Sequence, residues 1–67
     1  MKIFADRLKE LRKERGLTLA DVSVAIKVSI NTVSRWERCE RIPTFDCVLE
    51  LAKFFKVSTD YLCGLED

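Results

Sequence analysis

Apolar residues near the start of the chain recur at the spacing of an α-helix. Phe4, Leu8 and Leu11 lie four and three positions apart, and mostly polar or charged residues fill the gaps between them. They predict one buried stripe on a helix that ends near Arg15. Gly16 comes next, and glycine readily takes the left-handed conformation that closes a helix. The first predicted element is therefore an amphipathic helix closed by a glycine.

Two short helices are predicted after this glycine, with very little chain between them. Thr18 can cap a second helix whose inner face reaches Ile26, and a third helix starts at Ser29, which can cap it. Only Lys27 and Val28 are left as a turn. Two helices joined by so few residues cross steeply, which is the helix-turn-helix arrangement. Their inner faces come from apolar pairs at helical spacing: Val22 with Ile26, and Val33 with Trp36.

Two further helices are predicted in the last third of the chain. Pro43 disfavours helix at the residue before it, so an extended link precedes Thr44, which can cap a fourth helix. Ser58 can cap a short fifth helix. No alternating strand pattern occurs, so the expected fold is all-α, with five helices in one domain over residues 1–67 and a helix-turn-helix core at about 18–38. The apolar residues of the last two helices are Val48, Leu49, Leu51, Ala52 and Phe55, then Tyr61 and Leu62.

Composition narrows the class of function. The 67 residues are 48% hydrophobic and 34% charged, which is too apolar for a disordered chain and enough for one compact domain. Histidine is absent, and the two glycines lie too far apart for a phosphate-binding loop. We therefore expect no enzyme activity, cofactor, metal or small-molecule ligand. No apolar run approaches the roughly 18 residues that cross a bilayer, which predicts a cytoplasmic protein without a membrane partner.

The three cysteines do not form a chemical motif. Cys39, Cys47 and Cys63 are eight and sixteen positions apart, so no C-x-x-C pair exists for metal or redox chemistry. Cys47 and Cys63 are expected to be small buried hydrophobic residues. The alternative is redox sensing, although the local sequence offers no feature that would lower a thiol pKa.

Charge is distributed unevenly, although the net charge is only +1. Residues 1–15, 16–42 and 43–67 carry net charges of +3, +1 and −3. A basic N-terminal part and an acidic C-terminal part would give one face that attracts a polyanion and one that repels it. The charge pattern alone supports such a face and an ordinary solvated surface equally.

Several short motifs together resemble a known family. The sequence reads R-L-K-E-L-R at 7–12, G-L-T at 16–18, R-W-E-R at 35–38, R-I-P at 41–43 and V-S-T-D-Y-L at 57–62. This combination resembles the phage repressor/Cro-like helix-turn-helix family, also called the XRE family, over nearly the whole chain. The resemblance implies a five-helix, lambda-repressor-like DNA-binding domain. It also implies a homodimer that places its third helix, the recognition helix, in the major groove of a two-fold operator. Carried over from the family, the second helix is Leu19–Ala25 and the recognition helix is Ser29–Glu37.

The resemblance assigns two sets of DNA-contacting residues. Helical periodicity agrees with it: if Val33 and Trp36 point inward, the other positions of the helix lie outward or at its flanks. These positions are Ile30, Asn31, Ser34, Arg35 and Arg38. Asn31 suits a bidentate pair with adenine, and Arg35 suits one with guanine. Ile30 suits a thymine methyl or packs on a neighbour, and an ordinary solvated helix surface remains the alternative for the polar residues. The implied base contacts are Ser29, Ile30, Asn31 and Arg35, and the implied backbone contacts are Thr18, Lys27, Ser34 and Arg38.

A structural ion pair within the chain and a dimer interface are expected as well. Arg12 and Glu37 match family positions that form an ion pair bracing the first helix against the recognition helix. The short last helix has more apolar surface than its own core needs, which predicts a C-terminal dimer interface. The alternative is that these side chains are buried within one subunit. The predicted interface residues are Tyr61, Leu62, Cys63 and Leu65.

The chain departs from the family pattern at several positions. Leu19 replaces a glutamine whose amide would bind a phosphate, and Glu40 stands where lysine is frequent. Both changes weaken the expected grip on the DNA backbone. Three glycines of the family are also replaced, so these helix ends either relax or carry strain of about 1 kcal/mol each. The replacing residues are Lys27, Cys39 and Lys56.

Two functions from different classes follow from these observations. The first is a sequence-specific, double-stranded DNA-binding transcriptional regulator, specifically a repressor that occupies an operator. The second is a protein-interaction module of the antitoxin or adaptor type, built on the same fold with weakened DNA binding. Its contact surface would consist of exposed Leu19, Val24, Ile30 and Phe54.

Overall fold

The computed structural model describes residues 2–66. Within this range the chain forms five α-helices and no strand, which confirms the expected all-α class. None of the five is long and apolar enough to span a membrane. The helices are α1 (Lys2–Glu14), α2 (Leu19–Ile26), α3 (Ile30–Glu37), α4 (Phe45–Phe55) and α5 (Thr59–Cys63).

The helix starts follow the hydroxyl residues that the sequence marks as caps. In each of α2 to α5 the capping hydroxyl accepts a hydrogen bond from the backbone N–H three residues later. Thr18 and Asp21 form a complete capping box, because Thr18 N–H also donates to the Asp21 carboxylate at 2.8 Å. This backbone hydrogen bond lowers the pKa of Asp21 from its ordinary value. Ser29 is the cap of α3 rather than its first helical residue, and α2 extends to Ile26.

The first helix ends as the sequence predicts. Gly16 has a φ of 65°. Its N–H donates to the Lys13 carbonyl at 3.0 Å, and the N–H of Leu17 donates to the Arg12 carbonyl at 3.0 Å. These two bonds define a Schellman closure, which satisfies carbonyls that the helix itself leaves unpaired.

Three other helix ends use the same left-handed geometry without glycine. Lys27, Cys39 and Lys56 have φ values of 60°, 61° and 58°. The backbone has therefore not relaxed at any of them, and each position carries a steric strain of about 1 kcal/mol. Surrounding packing and the closing hydrogen bonds, such as Val28 N–H to the Ser23 carbonyl at 2.9 Å, hold these turns in place.

One hydrophobic core joins all five helices. Trp36 is buried as predicted, and its ring meets Phe4 edge to face with centroids 6.3 Å apart. Leu49 is only half-buried, and so are Cys47 and Cys63, because they lie at the flanks of their helices rather than on the inner stripes. The core consists of Phe4, Leu8, Leu11, Val22, Ile26, Val33, Trp36, Val48, Leu51, Ala52, Phe55 and Leu62.

Candidate nucleic-acid interface

The recognition helix α3 has one buried and one open face. Val33 and Trp36 are buried in the core, whereas Ile30, Asn31 and Arg35 are exposed. The exposed residues project from the first turn of α3 and from the turn that follows it. A hydrogen-bonding amide, a guanidinium and an apolar branched side chain thus lie on the side of α3 that points away from the core.

A largely buried ion pair fixes the other end of α3. Arg12 Nε lies 2.7 Å from Glu37 Oε2, and Arg12 Nη2 lies 2.9 Å from Glu37 Oε1. The two side chains are only 14% and 5% exposed. This bidentate hydrogen bonding to Glu37 raises the pKa of the Arg12 guanidinium. The pair ties α3 to α1 at a defined distance, so the open face of α3 has a fixed orientation.

Arg12 makes one contact that sequence reasoning missed. Its Nη1 donates to the backbone carbonyl of Leu17 at 3.0 Å. Leu17 lies in the connection between α1 and α2, so the same guanidinium holds the chain that leads into α2. No side-chain pattern could indicate this contact, because the acceptor is a backbone carbonyl.

The hydroxyls expected at the DNA interface already have local partners. Ser29 Oγ accepts the Thr32 N–H at 3.1 Å and lies 2.8 Å from Thr32 Oγ1. Thr18 Oγ1 accepts the Asp21 N–H at 3.0 Å. Both residues remain exposed, and each lies at the start of a helix, where the first backbone N–H groups have no carbonyl partner within the helix. Ser34, by contrast, is half-buried on the flank of α3.

Exposed cations surround the open face of α3. Lys27 lies in the turn before it and Arg38 directly after it, and both are exposed. Arg38 is not isolated, since its Nη1 lies 3.3 Å from Glu40 Oε2 and its Nε donates to the Ser34 carbonyl at 3.4 Å. This region is therefore basic with one local exception at Glu40.

The predicted protein-contact residues are only partly available on the surface. Leu62 is wrong as an interface residue, because it is fully buried in the core of this chain. Tyr61 and Cys63 are half-buried, and Leu65 is highly exposed. Leu19, assigned to an exposed contact surface, is likewise half-buried and packs against the core, since it begins the inner face of α2. The exposures expected of Val24, Ile30 and Phe54 are confirmed.

The C-terminal surface depends on a contact that the sequence did not indicate. The Arg7 guanidinium lies 4.3 Å from the centre of the Tyr61 ring. It also donates to the backbone carbonyls of Tyr61 and Glu66. Arg7 thus anchors the end of α5 to α1, across more than fifty residues of sequence.

Comparisons with known proteins place this geometry in a family. The model of the helix-turn-helix family matches residues 8–62. The chain is 38% identical to the HTH-type transcriptional regulator ImmR of Bacillus subtilis over 61 residues, which are 91% of this chain and 48% of ImmR. It is 33% identical to the cryptic phage CTXphi transcriptional repressor RstR of Vibrio cholerae over 59 residues, which are 88% of this chain and 53% of RstR. The chain therefore spans about half the length of these relatives.

A solved structure confirms the expected lambda-repressor-like fold. The P22 c2 repressor, crystallised in complex with a synthetic operator, superposes with a TM-score of 0.85 at 31% identity. The superposition covers 92% of this chain and 94% of the P22 chain. Together with the family match over residues 8–62, these likenesses show that the chain belongs to the phage-repressor (XRE) type of the helix-turn-helix family.

Proposed function

We propose that this chain is a sequence-specific, double-stranded DNA-binding transcriptional regulator that acts as a repressor in the cytoplasm. The observation that carries the proposal is the open face of α3, where Ile30, Asn31 and Arg35 are exposed. The buried Arg12–Glu37 pair fixes this helix against α1. A rigid helix with a polar outer face can enter the major groove and read base edges. The proposal needs no catalytic step and no cofactor.

Base recognition is assigned to the exposed face of α3. Asn31 can pair with adenine through its amide, and Arg35 can pair with guanine through two parallel N–H groups. Ile30 offers an apolar contact to a thymine methyl. Ser29 lies at the helix start, where its hydroxyl can reach a base edge beside its capping bond. Each good bidentate pair contributes roughly 1–3 kcal/mol of discrimination against a wrong base.

Backbone contacts are assigned to the rim of this face. Lys27 and Arg38 are exposed cations on either side of α3, so each can neutralise a phosphate. Thr18 and Ser34 are neutral donors, and the N–H groups at the starts of α2 and α3 that lack a partner within the helix also suit a phosphate. Half-buried Leu19 supplies no such hydrogen bond, so the backbone grip depends on these cations and amides.

The relatives support a role in transcription and its repression. ImmR is named as a transcriptional regulator and RstR as a transcriptional repressor. The P22 c2 repressor was solved in complex with an operator. Because this chain matches about half of the first two proteins, we propose that residues 1–67 form the DNA-binding domain, with the helix-turn-helix core at about 18–38.

We further propose that the chain binds its operator as a symmetric homodimer. One recognition helix reads only a few base pairs, whereas two related by a two-fold axis would meet half-sites about 34–36 Å apart. The surface that remains for this contact comprises Tyr61, Cys63 and Leu65, without the buried Leu62. Sedimentation that finds one protein per operator would contradict this assignment.

A gel-retardation assay tests the proposed function. Fragments from upstream of the gene are incubated with the protein in the presence of excess non-specific DNA, and we expect one fragment to be retarded. Exposed Val24, Ile30 and Phe54 favour the second candidate, a protein-interaction module. No retardation of any fragment at micromolar protein would contradict the DNA-binding proposal and favour that candidate.

A further inference from the structure

Residues 22–45, which include the recognition helix α3 and lie between exposed Asp21 and Asp46, contain a single exposed acid. Between residues 22 and 45 the acidic residues are Glu37 and Glu40. Glu37 is 5% exposed and fully engaged by Arg12, so only Glu40 presents a carboxylate to solvent in this segment. The exposed cations of the same segment are Lys27, Arg35, Arg38 and Arg41.

The backbone holds Glu40 in a defined place after α3. Its N–H donates to the Arg35 carbonyl at 2.8 Å, and Cys39 before it turns the chain in the left-handed conformation. These features are those of a Schellman closure rather than of a loose loop. Glu40 is therefore fixed beside the last turn of the recognition helix.

The Glu40 carboxylate reaches the Arg38 guanidinium from this position. Arg38 Nη1 lies 3.3 Å from Glu40 Oε2, and the two side chains are 56% and 51% exposed. An ion pair this exposed stabilises a fold very little, because water and salt screen it. A negative charge at the C-terminal end of a helix is also unfavourable with respect to the helix dipole. Stability of α3 is thus a poor explanation for Glu40.

We propose that Glu40 competes with the DNA backbone for Arg38 and so limits the affinity of the protein for any DNA. This inference rests on the proposed function, since it takes α3 to lie in the major groove. To bind a phosphate, Arg38 exchanges the Glu40 carboxylate for a phosphate oxygen. The exposed, weak pair permits this exchange, whereas the buried Arg12–Glu37 pair does not.

The competition has a measurable signature in salt dependence. A cation that neutralises a phosphate releases a counterion, which steepens the dependence of binding on salt by about one unit per contact. When Arg38 moves to a phosphate, the Glu40 carboxylate is left unpaired beside the DNA and takes up a cation, which offsets part of the counterion release from the DNA. Replacing the carboxylate by an amide removes this uptake of a cation and restores the full salt dependence of the Arg38 contact. The effect is independent of sequence, because phosphates carry no base information.

The variant Glu40→Gln tests the proposal while preserving side-chain shape. Binding is measured by fluorescence anisotropy on the retarded upstream fragment and on a random duplex, from 50 to 200 mM salt. We expect about three- to fivefold tighter binding to both duplexes at low salt and a salt slope steeper by up to about 1. Glu50→Gln is the matched control, because it makes the same charge change at an exposed position of α4, outside residues 22–45 and outside the proposed dimer contact. It should change affinity less than twofold.

A double-mutant cycle separates competition from simple repulsion by the carboxylate. Under competition, Glu40→Gln strengthens binding by less than about twofold when Arg38 has already been replaced by Gln, because there is no guanidinium left to release. An equal gain with and without Arg38 would overturn the competition, and so would an unchanged affinity in the Glu40→Gln single variant. If the wild-type protein binds no DNA at all, the proposed function fails together with this inference. If the wild type binds and Glu40→Gln is not tighter, only this inference fails.

Discussion

Two ion pairs at the end of α3 differ in their access to water and in the number of contacts that form them. Arg12 and Glu37 are 14% and 5% exposed and share two hydrogen bonds, whereas Arg38 and Glu40 are 56% and 51% exposed and share one contact at 3.3 Å. Breaking a buried pair leaves a charge without a partner, while an exposed charge is solvated at once. Burial therefore makes the first pair architectural and leaves the second pair exchangeable.

The largest expected effect comes from breaking the buried pair on one side. Glu37→Gln removes the charge that compensates Arg12, so we expect a loss of about 3 kcal/mol in the free energy of unfolding, measured by urea denaturation. The combined change Arg12→Met with Glu37→Leu should cost much less, because it leaves no buried charge. A loss below about 1 kcal/mol in Glu37→Gln would show that the pair is not architectural.

The next largest expected effect is a difference in DNA binding between variants on the open face of α3 and variants at its rim. Asn31→Ala should weaken binding to the cognate duplex by roughly 1–3 kcal/mol and hardly change binding to random DNA. Lys27→Ala should weaken both by a similar factor and reduce the salt slope by about 1. Anisotropy titrations on the two duplexes measure this difference. Equal losses on both duplexes in Asn31→Ala would mean that Asn31 does not read a base.

Cys39 lies between Arg38 and Glu40 in the sequence, and its replacement should stabilise the fold by a smaller amount. Cys39 has a φ of 61°, so Cys39→Gly should relieve side-chain strain and raise the free energy of unfolding by about 0.5–1 kcal/mol. Lys56→Gly, at a φ of 58° and far along the chain, is the matched control and should stabilise similarly. Thermal unfolding monitors both variants. Destabilisation in both would show that these helix ends are not strained.

The smallest expected effect is a pH dependence of folding stability that comes from Asp21. The hydrogen bond from the Thr18 N–H lowers the pKa of Asp21 in the folded chain, so the capping box adds stability above the unfolded-state pKa of about 4. That contribution is lost as pH falls through the lower, folded-state pKa. The melting temperature of wild type should therefore exceed that of Asp21→Asn at pH 6, and the difference should shrink towards pH 2. A difference independent of pH would contradict this assignment.

Local signals made most of the fold predictable. The stripe of Phe4, Leu8 and Leu11 and the capping hydroxyls gave correct helix positions, because amphipathic spacing and caps are properties of neighbouring residues. Trp36 was likewise predicted to be buried from its spacing to Val33. These features need no knowledge of distant contacts.

Features that depend on tertiary packing were not predictable. Leu62 and Leu19 were assigned to surfaces because a sequence shows which residues are apolar but not which neighbours cover them. Arg7 binds backbone carbonyls near the other end of the chain, and a carbonyl acceptor leaves no trace in side-chain identity. The contact of Arg38 with Glu40 depends on the turn at Cys39, where glycine would ordinarily be expected. Such contacts follow only from the assembled fold.

The most direct test of the central claim pairs one residue with one atom of the DNA. Each guanine of the retarded fragment is replaced in turn by 7-deazaguanine, which lacks the N7 acceptor that an arginine fork uses. At one guanine in each half-site, we expect wild-type binding to fall about tenfold or more, and Arg35→Ala to show no further loss there. If every substitution weakens wild type and Arg35→Ala by the same factor, Arg35 reads no guanine, which contradicts the base contact that the account assigns to the open face of α3.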